Sequence, residues 1–224
     1  MHHDDRFTRR TALGALAGLG AALAGLPAGA VPDCVISPEL TAGPFFVDEH
    51  LNRSDVTADT ELPGVRNAVP LRLALRVYAN NAGRCAPLAG AHVDLWNADA
   101  LGTYSDVDGA RGQRFLRGYQ VTGRDGAVAF TTVHPGWYPS RTPHVHVLVR
   151  TYARGNDVTH SFATQLFFDD AINDTVLASA AYRPHGARDT RNANDAFYTP
   201  KTLVPLKREG RGYAGTFTLG VRFG

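Results

Sequence analysis

The run Pro143-His144-Val145-His146-Val147-Leu148-Val149 predicts a β-strand with two unlike faces. Alternate side chains of a strand share a face, so His144 and His146 would lie together, about 7 Å apart along the strand. The three valines would fill the opposite face, which we expect to pack on the core. Two imidazoles placed in this way can bind one metal ion. The same pattern also fits two structural histidines that are hydrogen-bonded and bind no metal.

Five further segments have the residue pattern of strands, and glycine and proline separate them. A short helix is predicted near 171–181, because apolar residues recur there at helical spacing after Asp169 and Asp170, which could cap it. Many short strands joined by turns predict an all-β fold, a β-sandwich of mostly antiparallel strands with long loops and one short helix. The five predicted strands are Leu71–Val77, Ala91–Trp96, Val128–Val133, 159–168 and Tyr213–Phe223.

Length and composition are those of one globular domain. The chain has 224 residues, 44% of them apolar and 20% charged, which is enough for a sizeable core. The net charge of +2 provides no basic field, so we expect no nucleic-acid partner. We predict three regions: a signal peptide at 1–30, an irregular N-terminal segment packed on the core at 31–69, and a β-sandwich catalytic domain at 70–224.

Residues 1–30 have the pattern of a twin-arginine export signal. Arg9 and Arg10 precede an apolar run rich in alanine, leucine and glycine, and a small-residue cleavage site ends at Ala30. A membrane anchor is the alternative, but an apolar run of about 15 residues is short for a bilayer span. We therefore expect a secreted protein that has no membrane association after signal cleavage.

The chain contains two cysteines, Cys34 and Cys85. In an oxidising compartment we expect them to form one disulfide, which would join the mature N-terminus to the domain. Two buried free thiols are the alternative.

Two tyrosines extend the histidine pair into a possible ligand set. Tyr138 precedes His144 on a loop, and Tyr104 follows the Ala91–Trp96 strand. A phenolate is a hard anionic oxygen donor, and a trivalent cation acidifies a phenol that binds it. Two phenolates and two imidazoles therefore favour non-haem Fe(III), whereas zinc would use more histidine, cysteine or carboxylate.

The chain resembles the intradiol ring-cleavage dioxygenases, and in particular their short secreted branch, related to the catechol 1,2- and protocatechuate 3,4-dioxygenases. The resemblance extends over residues 35–224. The motifs that carry it are Gly102-Thr103-Tyr104, Pro135-Gly136-Trp137-Tyr138, Arg141-Thr142-Pro143-His144-Val145-His146 and Thr164-Gln165-Leu166-Phe167, supported by the runs Thr41–Asp48 and Arg188–Asn192.

The resemblance implies a ligand set and a reaction. Fe(III) would be bound by Tyr104, Tyr138, His144 and His146, and Tyr138 would leave the iron when substrate arrives. The substrates would be a small aromatic diol of the catechol type and O₂, and ring opening between the two hydroxylated carbons would give a cis,cis-muconate-type product. Two further residues match catalytic positions of the family: Arg141, which would stabilise anionic intermediates, and Gln165, which would orient the arginine or an oxygen intermediate.

Three features differ from the better-known members of the family. The loop from Tyr138 to His144 is short, which changes the wall of the pocket. Asn97 stands where many relatives carry histidine. Residues 31–70 are too few for a helical dimerisation domain, so that kind of dimer is not expected; the oligomeric state is otherwise open, and a monomer is one option.

A second functional hypothesis is a non-catalytic, transthyretin-like β-sandwich that acts as a binding module. Such a module has no need of two histidines beside two tyrosines. A copper or zinc β-sandwich enzyme is a third hypothesis, but it would require more histidines at ligand spacing than the sequence offers.

Overall fold

A computed structural model describes residues 35–58, 60–81, 84–154 and 157–222. Within these ranges the chain forms nine β-strands and two α-helices, and it is an all-β sandwich as predicted. The strands are β1 (Pro70–Asn81), β2 (Arg84–Pro87), β3 (His92–Trp96), β4 (Arg117–Val121), β5 (Ala127–Val133), β6 (His144–Tyr152), β7 (Val158–Phe167), β8 (Leu206–Glu209) and β9 (Gly212–Val221). The helices are α1 (Pro63–Arg66) and α2 (Asp170–Leu177), with 3₁₀-helices at Asp108–Ala110, Arg183–His185, Asn192–Asn194 and Pro200–Thr202.

The strands form two sheets. In the first, β1 pairs in parallel with β9 on one side, while β5 and β2 share its other side as antiparallel neighbours. Strand β8 continues this sheet beyond β9. The second sheet has the order β4-β3-β6-β7, and all of its pairs are antiparallel. Among the described strands, β1 and β9 form the one parallel pair in a mostly antiparallel fold.

The core lies between the two sheets. The apolar face of β6 supplies Val145, Val147 and Val149, each 0% exposed, as the alternation in the sequence predicts. They belong to one cluster with Leu71 and Leu73 of β1. Complete burial of a side chain of this size contributes about 1.5–3 kcal/mol. The opposite face of β6 therefore turns away from the core and carries the histidines.

All six predicted strands are present, and three strands were missed. Strands β2, β4 and β8 are short and lack a clear alternation of apolar and polar residues. The predicted helix is also present, and the Asp169 side chain caps it by accepting a hydrogen bond from the backbone N–H of Ala171 (2.8 Å). The prediction of its end at 181 was wrong, because α2 stops at Leu177 and the chain turns through Ser179 towards the buried Tyr182.

Two predictions concern parts of the chain outside the described residues. They are the signal peptide at 1–30 and the half of the disulfide that Cys34 would supply; Cys85 lies in β2. The pairing of the two cysteines stays a prediction. Among the described residues, no helix has the length and apolarity needed to cross a membrane.

Candidate metal centre

Strand β6 holds the two histidines side by side. His144 and His146 are 2% and 1% exposed, and their Nε2 atoms are 3.0 Å apart. The Nδ1 of His144 donates to the carbonyl of Thr142 (2.7 Å), which leaves the Nε2 lone pair free to bind a metal. The indole of Trp96 in β3 stacks on the His146 ring, with centroids 4.8 Å apart. Both imidazoles are thus fixed in orientation.

The first tyrosine, Tyr138, reaches the histidines from the loop after β5. Its hydroxyl lies 3.4 Å from the Nε2 of His144. A backbone bridge between Tyr138 and Arg141 closes a tight turn, in which Ser140 has a positive φ of 69°. The turn brings the Arg141 guanidinium to 3.1 Å from the Tyr138 hydroxyl. Tyr138 is half-buried, so the site approaches solvent along this residue.

The second tyrosine, Tyr104, lies on the loop after β3 and is 5% exposed. Its ring is 5.7 Å from that of Tyr138 and 5.9 Å from that of His146, measured between centroids. Among the described residues its hydroxyl finds no hydrogen-bond partner. A buried hydroxyl without a partner is costly, and it points to a missing ligand at this position.

Asp99 ties together the loops that carry the two tyrosines. Its carboxylate accepts hydrogen bonds from the backbone N–H groups of Leu101 and Thr103, both at 2.9 Å. Its carbonyl accepts from the N–H of Gly136 (2.9 Å), two residues before Tyr138. Asp99 therefore links the backbones of the two loops that carry the phenols.

The segment Thr41–Asp48 covers the site from the side opposite the core. Phe45 stacks on Tyr104 (centroids 4.5 Å apart) and meets Tyr138 edge-on (5.6 Å). A Cβ on Gly43 would come within 3.4 Å of the His146 ring, so this part of the segment passes directly over the imidazole. An ion pair of Asp48 with Arg150 in β6 holds the far end of the segment.

Arg141 and Gln165 lie together beside the tyrosine. The Arg141 guanidinium donates to the side-chain carbonyl of Gln165, and the Gln165 amide donates to the carbonyl of Thr41 (3.0 Å). On its other side, Arg141 Nε donates to the carboxylate of Asp195 (2.8 Å), whose side chain is 0% exposed. The arginine is thus held from two directions while one N–H reaches Tyr138.

Burial controls the protonation of all four candidate ligands. It lowers the pKa of His144 to about 3 and that of His146 well below its ordinary value, so both imidazoles are neutral and can bind a cation. Burial also raises the pKa of Tyr104 well above its usual value and raises that of Tyr138, although Arg141 opposes both rises. The phenols therefore ionise here only if a strong positive charge joins them.

The donor set suits a metal that accepts phenolate. Among the described residues, no group of three or more histidine, cysteine, aspartate or glutamate side chains could hold a metal. The two histidines thus need the tyrosines to complete a site. Two nitrogens that bind one ion at about 2.1 Å and at a right angle are about 3.0 Å apart, and the two Nε2 atoms have this separation.

All six residues predicted for the site lie together, whereas several of their neighbours were missed. Asp195, Trp96 and Asp99 touch or position the predicted residues, but none has a local sequence signal for such a role. Phe45 lies in the supporting run Thr41–Asp48, but its contact with Tyr104 was not predicted. Asn97 binds Ala98 and Thr132 and fills a structural position next to the site.

Comparisons with known proteins show which family of proteins this chain is similar to. A family model described as "Dioxygenase" matches residues 41–202. The intradiol ring-cleavage dioxygenase from Tetranychus urticae is 30% identical over 84% of this chain and 95% of its own, with a TM-score of 0.71. The dioxygenase domain of a dioxygenase carbohydrate-binding protein fusion from Streptomyces sp. SirexAA-E is 29% identical over 83% and 97%, with a TM-score of 0.60. Chlorocatechol 1,2-dioxygenase from Pseudomonas putida, at 20% identity, 84% and 72% coverage and a TM-score of 0.57, shares the fold.

Proposed function

The chain belongs to the intradiol ring-cleavage dioxygenase family, and on that premise we propose that it is a secreted Fe(III) enzyme that opens catechol-type diols with O₂ to cis,cis-muconate-type products. Membership of this family makes it an enzyme that incorporates both oxygen atoms of O₂ into an aromatic substrate. The binding-module hypothesis lacks support of this kind.

One observation carries the proposal: two imidazoles and two phenols converge on one point. The two Nε2 atoms are 3.0 Å apart, Tyr138 Oη is 3.4 Å from one of them, and the buried Tyr104 hydroxyl has no partner among the described residues. We assign the iron to His144, His146, Tyr104 and Tyr138. Bound Fe(III) would accept both oxygens of the diol and make its ring reactive towards O₂.

The two tyrosines have different roles in this proposal. Tyr104 is 5% exposed and stacked under Phe45, so it stays in place as a permanent ligand. Tyr138 is half-buried and takes a hydrogen bond from Arg141, so its phenolate oxygen can accept the proton of an incoming diol hydroxyl and remain hydrogen-bonded as a phenol. Tyr138 is therefore the exchangeable ligand.

Arg141 supplies fixed positive charge at the place where the substrate becomes anionic. Its guanidinium keeps a defined position because Gln165 and Asp195 accept hydrogen bonds from two of its other N–H groups. A preorganised charge of this kind stabilises developing negative charge with little reorganisation. We assign Gln165 to orient the arginine, since its side-chain carbonyl faces the guanidinium.

The test begins with iron content and colour. The iron-loaded protein should absorb in the visible, because a tyrosinate bound to Fe(III) has a charge-transfer band, and adding catechol should cause O₂ uptake. Tyr104→Phe and His146→Ala should each lower the iron content, whereas Tyr182→Phe, which removes a buried phenol hydroxyl away from the site, should keep it. Iron content equal to that of the unaltered protein in both ligand variants would refute the assignment.

Export and the disulfide are parts of the same proposal that rest on the sequence. Arg9-Arg10 followed by an apolar run supports twin-arginine export, and two cysteines in an oxidising compartment support the Cys34–Cys85 bond. Intact mass of the protein recovered outside the cell tests both, since cleavage near Ala30 and alkylation with and without reductant give distinct masses. A retained N-terminus or two alkylated thiols without reductant would contradict these assignments.

A further inference from the structure

Asp195 is a buried carboxylate next to the proposed metal centre. It follows directly after the 3₁₀-helix Asn192–Asn194, and its side chain is 0% exposed. One oxygen, Oδ2, accepts hydrogen bonds from Arg141 Nε (2.8 Å) and from the backbone N–H of Thr142 (2.9 Å). The other, Oδ1, accepts from the N–H of Phe197 (2.9 Å). All three partners are donors, so the group must be an acceptor at every contact.

The contact with Thr142 leads to a metal ligand. The carbonyl of Thr142 accepts from Nδ1 of His144 (2.7 Å), and its hydroxyl donates to the side chain of Asn192 (2.9 Å). Thr142 is 0% exposed, and its N–H, its carbonyl and its hydroxyl each form a hydrogen bond. A displacement of the Thr142 backbone would therefore disturb the carbonyl that orients the imidazole of His144.

The contact with Arg141 leads to the exchangeable ligand. Arg141 donates to the Tyr138 hydroxyl at 3.1 Å, and its guanidinium carbon lies 4.7 Å from the centroid of Phe197. Because Asp195 also accepts from the N–H of Phe197, it holds in place both the guanidinium of Arg141 and the backbone that carries the ring against which Arg141 packs. The direction of the N–H that reaches Tyr138 depends on this support.

We infer that Asp195 is a positioning residue that holds His144 and Arg141 in one geometry relative to each other. The inference rests on the proposed function. A single carboxylate oxygen accepts from Arg141 and from Thr142, whose carbonyl in turn accepts from His144, so a shift on one side is transmitted to the other. An asparagine cannot replace the aspartate, because its amide would turn an N–H towards at least one of three donors.

The experiment compares the iron-loaded protein with Asp195→Asn and Asp94→Asn. Asp94 is a matched control: it is 6% exposed and accepts two hydrogen bonds from Arg150 at 2.9 and 2.7 Å. Arg150 lies on the same strand as His146, about 13 Å along it. Both variants should lower the thermal midpoint, since each leaves a buried arginine poorly paired.

Only Asp195→Asn should change the metal centre. We expect its iron to be removed by a competing chelator with an apparent affinity about 10- to 100-fold weaker than that of the unaltered protein, the effect usual for partners of metal-binding histidines. Its visible charge-transfer band should also shift, because the hydrogen bond to Tyr138 changes. A folded Asp195→Asn protein with the affinity and band of the unaltered protein would overturn the inference.

A second comparison covers the case in which Asp195→Asn does not fold. This comparison uses Arg141→Met and the double variant Arg141→Met/Asp195→Ala. The double variant removes both charges of the ion pair, so neither is left buried without a partner. The double variant should still bind iron more weakly than Arg141→Met alone, because Thr142 loses its acceptor; equal iron affinity would overturn the inference. Failure of the unaltered protein to bind iron or consume O₂ would instead contradict the proposed function, so the two failures are distinguishable.

Discussion

His134 should make the stability of the protein depend on pH. The residue follows β5 and is 0% exposed, with its ring 5.0 Å from that of Phe168. Its Nδ1 donates to the carbonyl of Pro135 (3.2 Å). Burial lowers the pKa of this imidazole from 6.5 to about 4, and the positive charge of Arg188 adds to the effect. The folded protein therefore keeps His134 neutral in a range where the unfolded chain protonates it.

The sign and size of the effect follow from these two values. Between pH 6.5 and about 4 the unfolded chain binds a proton that the folded state does not, so the free energy of unfolding falls as the pH falls. The full difference corresponds to about 3 kcal/mol, of which about 2 kcal/mol is lost between pH 7 and pH 5. For a domain of this size that loss lowers the thermal midpoint by about 4–8 °C.

The assay is thermal unfolding of the metal-free protein and of His134→Asn at pH 7 and pH 5. Other buried histidines contribute equally in both proteins, so the difference between their acid-induced shifts isolates His134. The variant should lose about 4–8 °C less than the unaltered protein on acidification. Tyr182→Phe is the control, since it removes a hydrogen bond to the His134 carbonyl and leaves the imidazole in place. Equal acid-induced shifts in His134→Asn and the unaltered protein would refute the reasoning.

Two further predictions concern one buried hydrogen bond away from the site and one close packing contact beside it. Tyr182→Phe should lower the free energy of unfolding by about 1–3 kcal/mol, measured by denaturant titration, because the Tyr182 hydroxyl donates to the His134 carbonyl (2.6 Å) and accepts from the Val69 N–H (3.2 Å), and both would stay buried; an unchanged value would contradict it. Gly102→Ala should cost about 2–5 kcal/mol and reduce iron content, because Gly102 has φ +79° and a Cβ there would lie 2.1 Å from the Trp137 carbonyl oxygen. Gly112→Ala, at φ +78° with open space around it, should cost only about 1–2 kcal/mol; equal losses would show that the contact with Trp137 is irrelevant.

The prediction from sequence is most complete for β6, where one strand carries both an apolar face and a pair of histidines. In β6 the valines indicate the buried face and the histidines the other, so strand, orientation and ligand pair all follow from one run of residues. Strand β8 carries three charged residues and lies at a sheet edge, where burial imposes no alternation, so nothing in its sequence distinguishes it from a loop. The end of α2 was misplaced because Ala180 continues the apolar spacing while tertiary contacts of Tyr182 end the helix.

The candidate site likewise contains residues that the sequence predicts and residues that it does not. Tyr138, His144 and His146 lie close together in the chain, so their spacing could be interpreted directly. Asp195 binds Arg141 across 54 residues, and Gln165 binds Thr41 across 124. Contacts of this kind depend on how the sheets are assembled, which residue spacing does not encode. Arg141 and Gln165 were predicted from the resemblance to a family, and Asp195 was found only in the structure.

The parallel pairing of β1 with β9 bears on how the protein is made. Among the described strands β1 is the first and its parallel partner β9 is the last, and about 140 residues separate them. During synthesis one side of β1 therefore stays unpaired until most of the described residues have been made. Until then the nascent chain exposes an apolar strand with unsatisfied backbone groups, the kind of surface that recruits other chains. Newly made protein should therefore depend on chaperones until β9 emerges.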